Sequence, residues 1–326
     1  MTTQQPTAGF HPLYKARLHL LEGLPGPGVA ETSAQEAARH AWEAPLADVQ
    51  PPQVDVQSID VPGPNGPVPV RVYRPTTASD QLPAALVWIH GGAFMYGDLD
   101  IPEADHFARN MAHRTGTTVL SVDYRLCDDQ VHFPVPHDDC YAVYTWVRQH
   151  TADLGIDPSR IAVGGASAGG NLAASVSLHA GEAGQPPWQM LLAYPVLHHV
   201  LPPASDELSA ALAITPDALR FTRDNSIGIN EHVMGRPIAT AVPYDFPALA
   251  ADYTKFPPAY IENSEFDDLR ASGEAFATDL AANGVSVEVV TARGVPHAHL
   301  NAVGSPMLED AYVRFAARLT DGPDHA

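Results

Sequence analysis

Arg160-Ile161-Ala162-Val163-Gly164-Gly165-Ala166-Ser167-Ala168-Gly169-Gly170-Asn171-Leu172-Ala173-Ala174-Ser175 begins as an apolar run, passes through a G-x-S-x-G pattern, and continues as a helix-forming segment. A serine on a sharp strand-to-helix turn needs small neighbours, because its backbone is strained and other chain segments pass close by. Such a turn lifts the hydroxyl above a sheet and aims the next backbone N–H, that of Ala168, at the same spot. The stretch therefore predicts an α/β architecture with Ser167 as a nucleophile. Taken alone it also suits a Gly/Ala/Ser turn without chemical consequence.

Upstream, Leu86-Val87-Trp88-Ile89 reads as a buried strand that runs into His90-Gly91-Gly92-Ala93-Phe94. Acyl transfer builds negative charge on a carbonyl oxygen, and that charge needs donors already in place. A small-residue loop after a strand supplies them, here as the backbone N–H groups of Gly91, Gly92 and Ala93, joined by Ala168. An ordinary strand-to-loop turn has the same composition. The order of the two motifs makes coincidence the weaker explanation.

The remaining partners are expected downstream, in the order acid then histidine. Pro258 to Asn263 looks like a strand that leads into Ser264-Glu265-Phe266-Asp267-Asp268-Leu269-Arg270. Val285 to Val290 looks like the next one, followed by a loop through Gly294-Val295-Pro296-His297-Ala298-His299. Asp267 is assigned as the acid that orients the imidazole, and His297 as the general base. Asp268 and His299 are their rivals; adjacent residues point in different directions, so one of each pair is in place.

With these residues on the page the chain resembles the hormone-sensitive-lipase-like branch of the α/β-hydrolases, the bacterial carboxylesterases. The matching residues are His90 to Phe94, Asp123-Tyr124-Arg125-Leu126, Phe133-Pro134, Asp139, Gly165 to Asn171, Asp267 to Arg270, and Gly294 to His297. The resemblance spans about residue 55 to the C-terminus. It implies an α/β-hydrolase fold with a mostly parallel central sheet flanked by helices, and a helical cap. It also implies a Ser167–Asp267–His297 triad, short-to-medium acyl chains, and a homodimer through the edge strand near 285–291. The chain departs from the family pattern at Ala93, where a third glycine is usual. An alanine there still donates its N–H, provided its φ is negative. Asp268 replaces a usual proline, Leu126-Cys127-Asp128-Asp129-Gln130 replaces Leu-Ala-Pro-Glu, and His299 stands where an apolar aromatic is frequent.

Composition agrees. A chain of 326 residues with 45% hydrophobic content can build one large α/β domain with a lid. A formal charge of −20 argues against nucleic acid and against an anionic membrane surface. No apolar run reaches the roughly 18 residues of a membrane span. Met1-Thr2-Thr3-Gln4-Gln5-Pro6 lacks the basic and apolar regions of a secretory leader, and two cysteines, Cys127 and Cys140, are too few for a disulfide framework. The expectation is a cytoplasmic protein, with Cys140 a buried small hydrophobe and Cys127 a free thiol beside an acidic loop. Sixteen histidines, among them His198-His199 and His297-x-His299, offer no zinc-like spacing, so no metal and no cofactor are expected.

Period-two alternation over 54–61 and 68–73, with the turn cluster Gly63 to Pro67 between, predicts an antiparallel hairpin at the sheet edge. Strands near 84–90, 117–123, 160–165, 189–194, 258–263 and 285–291 alternate with helices, one of them from Asp138 to His150, which predicts a parallel sheet covered on both faces. Residues 51–197 and 251–326 form the catalytic domain in this reading. Residues 1–50, with helix-like Tyr14–Glu22 and Ser33–Trp42, and residues 198–250, with a helix start over Thr215–Asp224 and an irregular 237–247, form a cap. The lesser alternative for the first of these is packing on the outside of the domain. Phe94, Met95, Tyr96 and Tyr194 flank the predicted site or belong to ordinary core. The function that follows is a serine carboxylesterase acting on small-molecule esters. An amidase, lactonase or acyltransferase would use the same triad, and a non-catalytic ligand-binding relative would lack part of it.

Overall fold

The structure is a computed structural model that describes residues 9–76 and 81–323. The leader reading of residues 1–6, the first eight residues of the 1–50 segment and the last three of the 251–326 segment lie outside the described residues. Among the described residues eight strands form one sheet: β1 (Asp55–Val61), β2 (Val68–Arg74), β3 (Ala85–Ile89), β4 (Thr118–Val122), β5 (Ile161–Ala166), β6 (Met190–Ala193), β7 (Ala259–Phe266) and β8 (Val287–Pro296). Their spatial order is β1-β2-β4-β3-β5-β6-β7-β8. The helices among the described residues are α1 (Pro12–Lys15), α2 (Ser33–Glu43), α3 (Asp105–Thr115), α4 (Val135–Gln149), α5 (Thr151–Leu154), α6 (Ala168–Glu182), α7 (Asp206–Leu212), α8 (Arg223–Met234), α9 (Arg270–Ala282) and α10 (Pro306–Asp321).

β3, β4 and β5 are buried along their whole length, as apolar runs in a parallel sheet must be when both faces are covered. One face carries α4 and α6, whose Val143, Val147, Leu172 and Val176 join Val87, Ile89 and Val163. The other carries α3 and α10, where Trp88 stacks on Phe107 at 3.9 Å and meets Phe315 edge-on at 6.1 Å. β1 and β2 are the expected antiparallel hairpin, closed by Gly66 N–H donating to the Gly63 carbonyl at 3.1 Å. The chain leaves β3 toward β4 on one side and returns to β5 on the other. The connections thus diverge at the carboxyl ends of β3 and β5, where open α/β sheets place their sites.

Five expectations need correction. Tyr14–Glu22 is not one helix: α1 ends at Lys15, and a 3-10 turn, Leu18–Leu21, eclipses Leu18 and Leu21 so that both face the cluster holding Tyr14. Helix α4 starts at Val135 rather than Asp138. The helix placed at Thr215–Asp224 begins at Arg223, capped by Thr222, with only a 3-10 turn at Asp217–Leu219 before it. Thr215 closes α7 instead, its hydroxyl donating back to the Ala211 carbonyl at 3.0 Å, and α7 has no counterpart in the sequence reading. β7 and β8 run three and five residues further than the expected ends at 263 and 291, across an irregularity between Ser264 and Phe266. Polar residues that read as loop are paired within the strands: the Gly294 N–H donates to Glu265 Oε2 at 2.6 Å, and Arg293 reaches Glu265 at 3.3 Å. Asp267 and His297 therefore follow their strands directly. No helix among the described residues is long and apolar enough to cross a membrane.

Helix α6 lies flush against the end of β3. A Cβ on Gly169 would stand 2.1 Å from the Ile89 carbonyl oxygen and 2.4 Å from that of His90. Both obstacles are backbone, so neither swings away. Gly169→Ala is expected to lower stability by about 1–3 kcal/mol, read as a drop in the urea midpoint at unchanged slope. An unmoved midpoint would mean that the helix can slide without cost.

Candidate active site

Ser167 stands alone between β5 and α6 with φ +54° and ψ −114°, a conformation that an L-residue holds only when its surroundings impose it. They do so on every side. Its N–H donates to the Ala193 carbonyl at 2.8 Å, and its own carbonyl accepts the Asn171 N–H at 3.1 Å. A Cβ on Gly165 would lie 2.3 Å from the Gly169 carbonyl oxygen. The G-x-S-x-G glycines are thus steric requirements of the turn. Ala168 is the first residue of α6, where backbone N–H groups have no partner within the helix.

His297 and Asp267 meet Ser167 from the ends of β8 and β7. His297 Nε2 lies 2.9 Å from Ser167 Oγ, and His297 Nδ1 lies 2.6 Å from Asp267 Oδ2. The fully buried Asp267 also accepts the Leu269 N–H at 3.0 Å on its other oxygen. Burial alone would push the His297 pKa down. The charge and hydrogen bond of Asp267, aided by Glu103 and Asp268, outweigh it and raise the imidazole above its ordinary value. The rivals are occupied elsewhere. Asp268 takes a bidentate pair from Arg220, at 2.9 Å to each oxygen. His299 is buried between Glu262 Oε1 and Ser264 Oγ, at 2.9 Å from each.

The loop after β3 differs from its expected form in two respects. Gly91 was expected to line an oxyanion site, but its N–H donates to Glu103 Oε1 at 2.7 Å, because that buried carboxylate needs donors. The condition set on Ala93, a negative φ, is not met, and it was too strict, because a left-handed backbone keeps its N–H as a donor. Ala93 has φ +52°, followed by Phe94 at +65°. The cause is a tight turn in which the Gly92 carbonyl accepts both the Met95 and Tyr96 N–H groups, at 3.0 and 2.8 Å. Left-handed backbone costs an L-residue about 1–2 kcal/mol, and a small side chain suits the turn at position 93. Gly92, with φ +115°, admits no side chain at all, since a Cβ would stand 2.0 Å from the Tyr96 carbonyl oxygen. Ala93 and Phe94 share a mainly apolar cavity with Ser167, Val196, Phe221, Ile229 and Leu269, to which Ser226 and Asn230 add polar groups.

Several residues of this neighbourhood carry no sequence signal. Glu103 is one acid among Asp98, Asp100 and Asp105. Glu262 sits mid-strand with no motif, yet it is fully buried and pairs with Arg314 at 2.7 Å. Burial opposes its charge, but hydrogen bonds from Arg314 and His299 prevail and hold its pKa near about 2. Of the residues expected to flank the site, Tyr194 meets both His297 and His299 edge-on at 5.0 Å, whereas Tyr96 is exposed. Cys127 and Cys140 are free and buried. Among the described residues no group of three or more histidine, cysteine or acidic side chains is placed to hold a metal ion, and His198 Nδ1 instead bonds the Ser272 hydroxyl at 2.8 Å.

Known proteins share this arrangement of sequence and fold. The family described as alpha/beta hydrolase fold matches residues 86–301. Esterase LipI of Mycobacterium tuberculosis is 35% identical over 291 residues, 88% of each chain. The arylesterase of Saccharolobus solfataricus is 30% identical over 73% of this chain and 74% of its own. Among solved structures, a bacterial heroin esterase superposes with a TM-score of 0.78 at 32% identity, covering 96% of this chain and 98% of that one. The esterase of the archaeon Pyrobaculum calidifontis does so with 0.75 at 30% identity, covering 95% and 91%. With the strand–serine–helix turn and the small-residue loop already in place, these matches lead to one conclusion: the chain belongs to the α/β-hydrolase family, in its hormone-sensitive-lipase-like branch.

Proposed function

We propose that this protein is a serine carboxylesterase that hydrolyses small carboxylic esters with short-to-medium acyl chains. The observation that carries this reading is the unbroken hydrogen-bonded line from Asp267 through His297 to Ser167, ending at the apolar cavity. Ser167 Oγ attacks the ester carbonyl while His297 Nε2 takes its proton. The tetrahedral oxyanion is received by the backbone N–H groups of Gly92, Ala93 and Ala168, donors fixed before charge develops. His297 then hands its proton to the departing alcohol, and water attacks the acyl-serine with His297 again as base. Asp267 keeps the imidazole in the required tautomer and stabilises its charged form.

The acyl limit is argued from the walls. Phe221 lies 4.9 Å from the His297 ring and Ile229 faces the same space, so the cavity suits a short apolar chain better than a long one. Both belong to residues 198–250, which we assign with the N-terminal segment to a cap over the carboxyl ends of the strands. Leu219 and Ala218 of the insertion pack with Phe10, Tyr14, Leu21 and Leu24 in one cluster that also holds Phe266 and Val295. The sheet supports a homodimer as well. β8 has a single strand neighbour among the described residues, and an unpaired edge is a template for a second copy.

Hydrolysis of p-nitrophenyl acetate, butyrate, octanoate and palmitate is expected to favour the short esters and to collapse in Ser167→Ala. Activity surviving that substitution would remove Ser167 as nucleophile, and equal turnover of palmitate would remove the acyl limit. The base must be neutral to act, so kcat/KM is expected to fall as pH drops through the raised His297 pKa. The acid limb should then have its midpoint above the ordinary histidine value of 6.5. In Asp267→Asn kcat is expected to fall by about 10⁴-fold, with that midpoint lowered. Light scattering is expected to give twice the chain mass; a monomer at all concentrations would contradict the edge-strand dimer.

A further inference from the structure

Glu103 lies in none of the sequence motifs, yet every polar atom it owns is engaged and the residue is 2% exposed. Its Oε1 accepts the Gly91 N–H at 2.7 Å. Its Oε2 accepts the Tyr194 hydroxyl at 2.7 Å and the Asn301 amide at 3.0 Å. Its own N–H donates to Asn301 Oδ1 at 2.9 Å, and its carbonyl accepts the Trp88 indole N–H at 2.7 Å.

These partners come from three places. Gly91 begins the loop after β3 that carries Gly92 and Ala93. Tyr194 follows β6 with a positive φ of 37°, and its ring stands edge-on to His297. Asn301 ends the turn His299–Asn301, which leaves His297 through Ala298 at φ +62°. Glu103 is therefore bonded at once to the proposed oxyanion loop, to the ring beside the imidazole, and to the turn behind it. Burying a carboxylate is costly unless its lone pairs are filled, so as a device for stability alone it is a poor choice. What it can do, and a neutral side chain cannot, is accept from three converging donors at once. A glutamine has a single acceptor oxygen, and its NH₂ would face a donor.

We propose that Glu103 is a positioning residue for ester hydrolysis, a buried carboxylate clamp that sets the oxyanion loop against the His297–Ser167 pair. By taking the Gly91 N–H it fixes the approach of the loop and leaves the Gly92 and Ala93 amides for the oxyanion. By holding Asn301 and Tyr194 it fixes the imidazole from behind. Its charge is also among those that favour protonated His297. The inference rests on the esterase reading.

The experiment compares wild type, Glu103→Gln and Asn301→Ala on p-nitrophenyl butyrate, with reactive serines counted by titration with a p-nitrophenyl phosphonate. In Glu103→Gln, kcat per reactive serine is expected to fall about 10–100-fold, as misplacement of reacting groups by an ångström does, while KM stays nearly unchanged. The rate of serine phosphonylation should fall with it, and the acid limb of kcat/KM should move to lower pH. Asn301→Ala is expected to lower kcat without moving that limb, since the carboxylate remains. Full kcat per reactive serine in Glu103→Gln, with any loss confined to melting temperature or to the fraction of reactive serines, would reduce Glu103 to a structural role and overturn the proposal. Should Glu103→Gln fail to fold, unchanged kcat and phosphonylation in Asn301→Ala overturns it equally. A wild type inert to every ester would sink the esterase reading instead, and the phosphonylation rates would still decide the clamp.

Discussion

The carbonyl oxygens of Ile89 and His90 lie where a side chain on Gly169 would have to be, 2.1 and 2.4 Å from its notional Cβ. That approach of helix to strand end is the constraint on which the site depends. Ser167 can share a cavity with the loop after β3 only if β3 and β5 are neighbours and α6 lies directly on both. The same pressure operates one residue below the turn, where a Cβ on Gly164 would stand 2.6 Å from the Leu191 carbonyl oxygen. Small residues here exclude atoms, and the strain in Ser167 is sustained because the packing around it leaves no looser alternative.

Electrostatics divides the neighbourhood into separate compartments. Asp267, Glu103 and Glu262 are all buried, and each has its own donors. Asp267 belongs to His297 and the Leu269 amide, Glu103 to Gly91, Tyr194 and Asn301, and Glu262 to Arg314, Tyr260 and His299. The last set makes a second serine–histidine–acid string, Ser264–His299–Glu262, behind the first. All three of its members are buried, and Arg314 pairs with its acid. The Tyr194 ring separates the two imidazoles.

Segments outside the sheet are tied in at the same end. Phe10 stacks on Phe266 at 4.1 Å, one residue before Asp267, and the His11 N–H donates to the Gly294 carbonyl at 2.8 Å, three residues before His297. Arg220 binds Asp268, the residue after the acid. Asp268 thus anchors the segment that carries Arg220 beside Asp267. The strand ends that supply the proposed chemistry are held by the segments proposed to cover it.

The sequence by itself determined the α/β class, the order of the motifs along the chain, Ser167 on its turn, and an adjacent or near-adjacent pair of candidates for the acid and for the histidine. These are local matters: apolar periodicity, glycines where a turn tolerates no Cβ, and an acid and a histidine at the ends of apolar runs. It could not place the true ends of β7 and β8, because Glu265 and Arg293 look like loop until each has a partner across the strands. Nor could it foretell that Ala93 is left-handed, which follows from two amides sharing the Gly92 carbonyl. Only the tertiary structure brings His297 to Ser167 and Asp267 to His297, and gives Asp268 and His299 other partners. Only it singled out Glu103, whose donors come from Gly91, Tyr194 and Asn301, twelve to 198 residues away along the chain. A hydrogen-bond partner supplied by a distant segment leaves no trace in spacing or composition.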